Sequence, residues 1–250
     1  MSSLAALRCL LRGLPLFFRA APRTPLRVLA IVALDTVHVL RKARPMPRAR
    51  LHALARVVDF QASTNAAWDG KALRETDHRA IRGCRHLEDY LHRLRVLEAG
   101  RPAIGGDRRR FEDVRAYREA VVRVSLATLS AIALGSPSLE DAMRAMDDDR
   151  DLETLFRMAM QCQILDDLLD YREDLAAGLP SYLTATASLP EAREWTAGAA
   201  RAYGEGARGA FPLRTALWIL TLLAEVGRVF RFSVTGAAFV SSGKKEERKT

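Results

Sequence analysis

The sequence has little cysteine, and it lacks both long uncharged apolar runs and strand-like alternation. Its cysteines, Cys9, Cys84 and Cys162, stand apart and lack CxxC spacing, so neither a disulfide framework nor a cysteine zinc site is indicated. No run of about 18 uncharged apolar residues occurs, so we expect no membrane-spanning helix. The alternation of apolar and polar residues that is typical of strands is also absent. These absences favour a helical protein of a reducing cytoplasm.

The basic residues are almost all arginine. Only five of the 39 basic residues are lysine, and the formal net charge is +9. Such a balance favours anionic partners, whether diphosphates, a membrane surface or nucleic acid, and it does not choose among them. Nucleic-acid binding is not expected, because aromatic residues make up only 7% of the chain and no recognition motif accompanies the basic run 108–110.

Apolar periodicity between glycine and proline breakers predicts nine helices and no strands. We expect an all-α fold with one domain over residues 1–240 and a charged, disordered tail over 241–250. The predicted helices cover residues 3–19, 25–42, 47–69, 73–98, 110–134, 138–146, 150–176, 190–209 and 212–232.

The first predicted helix is amphipathic. Its apolar residues between Leu4 and Phe18 are interrupted by Arg8 and Arg12, which is not the pattern of a signal peptide. Such a face either packs on the protein's own core or lies on a membrane surface with its arginines at the headgroups. A cytoplasmic protein with peripheral membrane contact is therefore one of two interpretations of this segment.

Three aspartates stand one helical turn apart in the predicted helix 150–176. Asp166, Asp170 and Asp174 are four residues apart, so each step drifts only about 40° around the helix and the three form one acidic stripe. The rest of the segment is apolar enough to be buried. Because stacked, buried carboxylates are costly without a cation, we expect the stripe to face inward and to bind Mg²⁺, which suits carboxylate oxygens and substrate phosphates.

A longer pattern surrounds the stripe, and its residues are Gln163, Asp166, Asp170, Glu173, Asp174, Gly178, Tyr182 and Leu183. This pattern resembles the second aspartate-rich motif of the squalene/phytoene synthase family, QxxNxxRDxxEDxxxGxxYL. Two positions depart from it, since Asp166 replaces an asparagine and Leu169 replaces an arginine. The string ILDDLLDYRED is also similar to the second motif of the bacterial large (class IB) terpene synthases, which has an aspartate at the place of Asp166.

Two upstream segments are similar to other parts of the same family. Asn65 and Asp69, followed by a glycine, resemble its first motif, DxxxDG, with the first aspartate replaced by asparagine. Tyr117 stands at the tyrosine position of the YCxxVAGxVG helix, where Arg118 and Arg123 replace other residues of the motif. The Ser-Arg-Ser-type motif near the family's N-terminus has no counterpart, so the resemblance does not extend to binding of a second prenyl diphosphate.

The resemblance implies a class I isoprenoid synthase-type helical bundle with a central cavity. It also implies a Mg²⁺-dependent prenyltransferase or terpene synthase that ionises a prenyl diphosphate to an allylic cation. The metal ligands would then be Asp69, Asp166, Asp170 and Asp174, with Tyr117 shaping the cavity or stabilising the cation. The residues that would contact the substrate are Asn65, Lys71, Arg74, Gln163, Glu173 and Tyr182.

Three alternatives remain beside this hypothesis. The acidic stripe can be a solvated face with neighbouring arginines. A carboxylate-bridged di-iron bundle needs two Glu-x-x-His pairs, and only Glu75 and His78 supply one. A family member that has lost catalysis and acts as a helical partner subunit is the third alternative, and Asn65 favours it because an amide brings no charge to a metal site.

Overall fold

The computed structural model describes residues 25–68 and 84–226, and helices dominate both ranges. We number the helices in chain order. They are α1 Pro25–Lys42, α2 Arg48–Trp68, α3 Arg85–Ala99, α4 Arg108–Leu134, α5 Leu139–Asp148, α6 Arg150–Ala177, α7 Leu189–Gly204 and α8 over 211–226. The all-α prediction is confirmed for the described residues, which contain no strand.

Most predicted helix limits agree with the structure to within two residues, and α1 matches at both ends. The helix predicted over 190–209 ends earlier, at Gly204, because the chain becomes extended at Glu205 and Gly206 takes a left-handed φ of 71°. The single helix predicted over 73–98 is wrong at Cys84, which has extended backbone (φ −104°, ψ 92°), and α3 begins only at Arg85. The predicted helix 3–19, residues 73–83, the end of the helix predicted over 212–232 and the predicted tail lie outside the described residues.

Capping residues define both ends of the helix that carries the acidic stripe. The Asp149 carboxylate accepts hydrogen bonds from the backbone N–H groups of Asp151 and Leu152, both at 3.0 Å, and so caps the N-terminus of α6. Gly178 ends the helix with a left-handed φ of 66°, a conformation that favours glycine. The sequence from Asp149 to Gly178 therefore specifies one uninterrupted helix of 28 residues.

Helix α4 is the centre of the described fold, because it packs against α1, α2, α3, α5 and α6. Helix α6 joins two apolar clusters. Leu152, Leu155 and Met158 belong to a cluster shared with α1–α5 and α8, whereas Ile164 and Leu168 belong to a cluster shared with α4 and α7. The acidic stripe thus occupies the second half of a helix that is held on two sides by buried apolar contacts.

None of the single helices within 25–68 and 84–226 is long and apolar enough to cross a membrane. The bent pair formed by α4 and α5, whose axes differ in direction by 100°, passes the same test by length and composition only.

Candidate functional site

The acidic stripe of α6 lies mainly at the surface. Asp166 and Asp170 are exposed, and Asp174 is half-buried. The prediction that the whole stripe faces inward is therefore wrong for the first two residues. Leu169 and Leu175, on the same part of the helix, are also exposed, at 53% and 48%, so the apolar composition of the segment did not mean burial on all sides. The neighbouring Asp167 is the buried carboxylate, with only 2% exposed.

Asp167 is held by three hydrogen bonds from three parts of the chain. Its Oδ1 accepts from Arg118 Nη2 on α4 at 3.1 Å and from Gln163 Nε2, one turn earlier on α6, at 2.7 Å. Its Oδ2 accepts from the backbone N–H of Tyr182 at 2.8 Å. Burial raises the pKa of Asp167, and the Arg118 charge together with these hydrogen bonds opposes that rise. The result is a buried ion pair directly beneath the stripe.

The segment after α6 folds back onto this ion pair. The left-handed Gly178 reverses the chain, and the Leu179 N–H donates to the Asp174 carbonyl at 2.9 Å. Ser181 and Thr184 then hydrogen-bond to each other, through the Ser181 N–H and the Thr184 Oγ1 at 2.8 Å. The turn brings the Tyr182 N–H to Asp167. The GxxYL part of the motif thus forms a tight turn, and the backbone of this turn hydrogen-bonds to the buried Asp167 carboxylate.

The Tyr182 side chain is buried rather than directed to the stripe. It is 0% exposed, and its hydroxyl lies 3.1 Å from that of Tyr203 on α7. Tyr203 in turn donates to Glu119, and Arg115 donates to the Tyr203 hydroxyl at 3.2 Å. No sequence motif predicted this network. Its only local signal is the spacing of four residues between Arg115 and Glu119, which places them side by side on α4.

The fold disfavours the ionised form of Asp174, the last member of the stripe. Desolvation raises the pKa of Asp174 to about 6, the negative charge of Asp167 adds to the rise, and Arg118 opposes it. The positive charge of Arg118 interacts more strongly with Asp167 than with Asp174 and Asp166. A further cation close to Asp174 would therefore be stabilised, because it would relieve repulsion between carboxylates that one arginine only partly neutralises.

The raised pKa of Asp174 predicts that Asp174→Asn stabilises the free protein above pH 6. In the unfolded chain an aspartate titrates near 3.9, so ionisation costs the folded state free energy as the pH rises from about 4 to 6. The folded state therefore carries the full free-energy cost of ionising Asp174 above pH 6 and none of it below pH 4. Allowing for solvent screening of a half-exposed group, we expect a gain of about 1 kcal/mol at pH 8 and none at pH 4.

Thermal unfolding of the Asp174→Asn variant at the two pH values measures this gain. The matched control is Asp113→Asn, which removes the same charge from an exposed position on α4. Equal melting temperatures for the two variants at pH 8 would contradict the prediction.

The other predicted site residues are spread over several elements. Tyr117 is half-buried on α4, and its hydroxyl donates to Glu98 Oε1 on α3 at 2.7 Å. Asn65 is exposed on α2, and Glu173 is exposed on α6. Helix α4 packs against both α2 and α6. The remaining candidates, which belong to the predicted facing wall and the diphosphate contacts, lie outside the described residues: Asp69, Lys71 and Arg74.

The carboxylates on α6 could supply only some of the ligands that a metal ion needs. Within the described ranges no three His, Cys, Asp or Glu side chains come together as a group that could hold a metal ion. Mg²⁺ is commonly bound by one or two carboxylates together with substrate phosphates and waters. Asp170 and Asp174 fit that role, because they lie one helical turn apart and Asp174 is ionised at a cost. The residues therefore fit a Mg²⁺–diphosphate complex better than a metal ion alone.

Comparisons with known proteins give no relative for this chain. No family model matches it, and neither a curated protein nor a solved structure shows a significant match. The geometry and the motif residues are thus the basis for an assignment of function.

Proposed function

We propose that this protein is a Mg²⁺-dependent enzyme that ionises a prenyl diphosphate, as a squalene/phytoene synthase-like prenyltransferase or a terpene synthase. The observation that carries the proposal is the row Asp166, Asp170 and Asp174 on one helix, above a buried ion pair. A surface aspartate normally titrates near 3.9, whereas the pKa of Asp174 is about 6. The fold thus disfavours the ionised form of Asp174. A bound cation would stabilise that ionised form, so the site is suited to binding cations.

Bound Mg²⁺ would neutralise the diphosphate and so make it a better leaving group. The substrate's C–O bond then breaks, its electron pair leaves with the diphosphate, and an allylic cation remains. Asp166, Asp170 and Asp174 would hold the metal from α6, and Asp69 would hold it from the facing wall. Lys71 and Arg74 would contact the diphosphate oxygens, and the cation would react with a second prenyl chain or fold back on its own double bonds.

The buried residues would keep this arrangement in place. Arg118 binds Asp167, and Asp167 binds the N–H of Tyr182, so α4, α6 and the turn after α6 are joined at one carboxylate. Gln163, a member of the motif, completes the set of donors to Asp167. In this proposal Gln163 and Tyr182 position the helix that carries the metal ligands. This differs from the sequence-based expectation that both contact the substrate.

Ligand-induced stabilisation tests the proposal without requiring turnover. We expect Mg²⁺ and inorganic pyrophosphate together to raise the melting temperature by about 5–10 °C at saturating concentration, because binding at 100 times Kd stabilises by about 2.7 kcal/mol. Mg²⁺ alone should have little effect, since α6 offers at most two carboxylates per ion. A shift that is the same with pyrophosphate plus EDTA would contradict a metal-dependent site.

Product analysis separates the two reaction types. The chain is incubated with geranyl, farnesyl or geranylgeranyl diphosphate and Mg²⁺, and hexane extracts are analysed by mass. A hydrocarbon with the carbon number of one substrate indicates cyclisation or elimination, whereas twice that number indicates coupling.

One observation favours the alternative of a partner subunit without catalysis. Arg118 stands where the family's motif has a small residue, and its guanidinium already supplies positive charge to Asp167, Asp174 and Asp166. An internal cation of this kind reduces the need for a metal ion. A subunit of this type should show no Mg²⁺-dependent thermal shift with pyrophosphate and no product from any prenyl diphosphate.

A further inference from the structure

Helix α8 exposes a broad apolar face. Nine large hydrophobic side chains are exposed in the described ranges, and six of them lie on this one helix. They are Phe211 at 66%, Trp218 at 65%, Ile219 at 45%, Leu222 at 46%, Leu223 at 49% and Val226 at 42%. Contiguous patches of this kind on soluble proteins mark interaction surfaces.

The opposite side of α8 is packed against the rest of the fold. Leu213, Leu217 and Leu220 are buried in the larger apolar cluster, and Ala224 lies in the smaller one. Thr221 also accepts a hydrogen bond from the buried Gln161 at 3.0 Å. A helix that is apolar on all sides is normally covered on all sides. Helix α8 is therefore anchored on one side and lacks a described covering on the other.

The area of the exposed face is that of an interface. At about 200 Å² for a large side chain, six side chains that are roughly half exposed leave on the order of 600 Å² of surface. A stable protein–protein contact buries about 800 Å² on each partner. The apolar side chains of α8 would thus supply most of one side of such a contact, and neighbouring polar residues would supply its rim.

One positive and one negative side chain lie near opposite ends of the apolar face, so two copies of the face can pair their charges. Arg214 is exposed and Glu225 is half-buried, and 11 residues separate them. Eleven residues correspond to a net rotation of only about 20°, so both side chains lie along one edge of the helix. No salt bridge joins either to another residue in the described ranges. An antiparallel second copy of α8 would place each Arg214 opposite Glu225 of the other copy.

We propose that the chain forms a two-fold symmetric dimer in which α8 packs antiparallel against α8 of a second copy. The axis passes near residues 219 and 220, midway between the two charges, so that Trp218 packs against Leu222 of the other copy. Such a contact is isologous, because the same surface is used on both sides. A lipid bilayer is a less suitable partner for this face, since its anionic headgroups would attract Arg214 but repel Glu225, whereas a second copy pairs both charges.

Charge reversal tests the pairing directly. Sedimentation analysis of the full chain at about 10 µM is expected to show a dimer, as for interfaces of this area. Arg214→Glu and Glu225→Arg should each weaken dimerisation at least about tenfold, because each places like charges opposite one another. The double variant R214E/E225R restores opposite charges at both ends and should return the affinity to within about threefold of the original. Failure of the double variant to regain the dimer overturns the proposal.

An apolar variant and its matched control complete the test. Trp218→Glu should abolish the dimer at the same concentration, whereas Val96→Glu, at a side chain that is 62% exposed on α3, should leave it unchanged. Circular dichroism of each variant confirms that its helices are intact. A wild-type chain that sediments as a monomer overturns the proposal. So does a monomer that co-sediments with phosphatidylcholine–phosphatidylserine vesicles and loses this binding in W218E, which would make a bilayer the partner of α8.

Discussion

Replacing Asp170 with alanine is expected to lower the turnover of prenyl diphosphates by about 100-fold or more, since charge stabilisation at the leaving group is a large part of such a reaction. Asp170 is exposed at the centre of the acidic stripe, one turn from Asp166 and one turn from Asp174. Loss of the central carboxylate removes a ligand that can share a metal ion with either neighbour. Diphosphate release measured in the presence of Mg²⁺ tests this expectation.

The fold should tolerate the same substitution. Exposed side chains that lack structural contacts usually change stability by no more than about 0.5 kcal/mol, so D170A should unfold at nearly the wild-type temperature. The matched control is Asp113→Ala, which removes an exposed carboxylate from α4 and should leave turnover unchanged. If D170A keeps the wild-type rate, the acidic stripe does not bind the catalytic metal and the proposed function is wrong.

Replacing Arg118 with methionine is expected to cause the largest loss of stability, about 3–5 kcal/mol, because it leaves the buried Asp167 carboxylate without its counter-charge. Asp167 would then be protonated, or would remain charged at a high cost in a site that is only 2% exposed. For a chain of this length the loss corresponds to a fall in melting temperature of about 10 °C. Thermal unfolding followed by circular dichroism measures it.

A double-mutant cycle separates the ion pair from simple packing. In R118M/D167N no charge is buried, and the amide oxygen of the introduced asparagine can still accept the Tyr182 N–H, so the double variant should recover much of the stability that R118M loses. The control is Arg109→Met at an exposed position on the same helix, which should have little effect. A double variant that is less stable than R118M would show that the ion pair is not what holds α4 to α6.

Local sequence signals predicted where most of the described helices lie and where several of them end. Ser138 stands three residues before Asp141, and its Oγ accepts the Asp141 N–H at 3.1 Å, which caps the start of α5. Gly178 likewise ends α6 in a left-handed conformation. These features depend on neighbours within four residues, so the chain itself contains the information. The end of α7 was predicted too late although Gly204 and Gly206 stand there, because a single glycine is tolerated inside a helix and does not by itself fix where the helix ends.

Which carboxylate is buried was decided by contacts between distant parts of the chain. Asp166 and Asp167 differ by about 100° around α6, and the spacing of the stripe drew attention to the first, whereas the packing buries the second. Asp167 is enclosed because Arg118, 49 residues earlier, and Tyr182, 15 residues later, both reach it. A helical period shows which side chains share a face, but it does not show what that face meets. For that reason the acidic row could be recognised in the sequence, while its exposure and the ion pair beneath it depend on how α4, α6 and the following turn pack together.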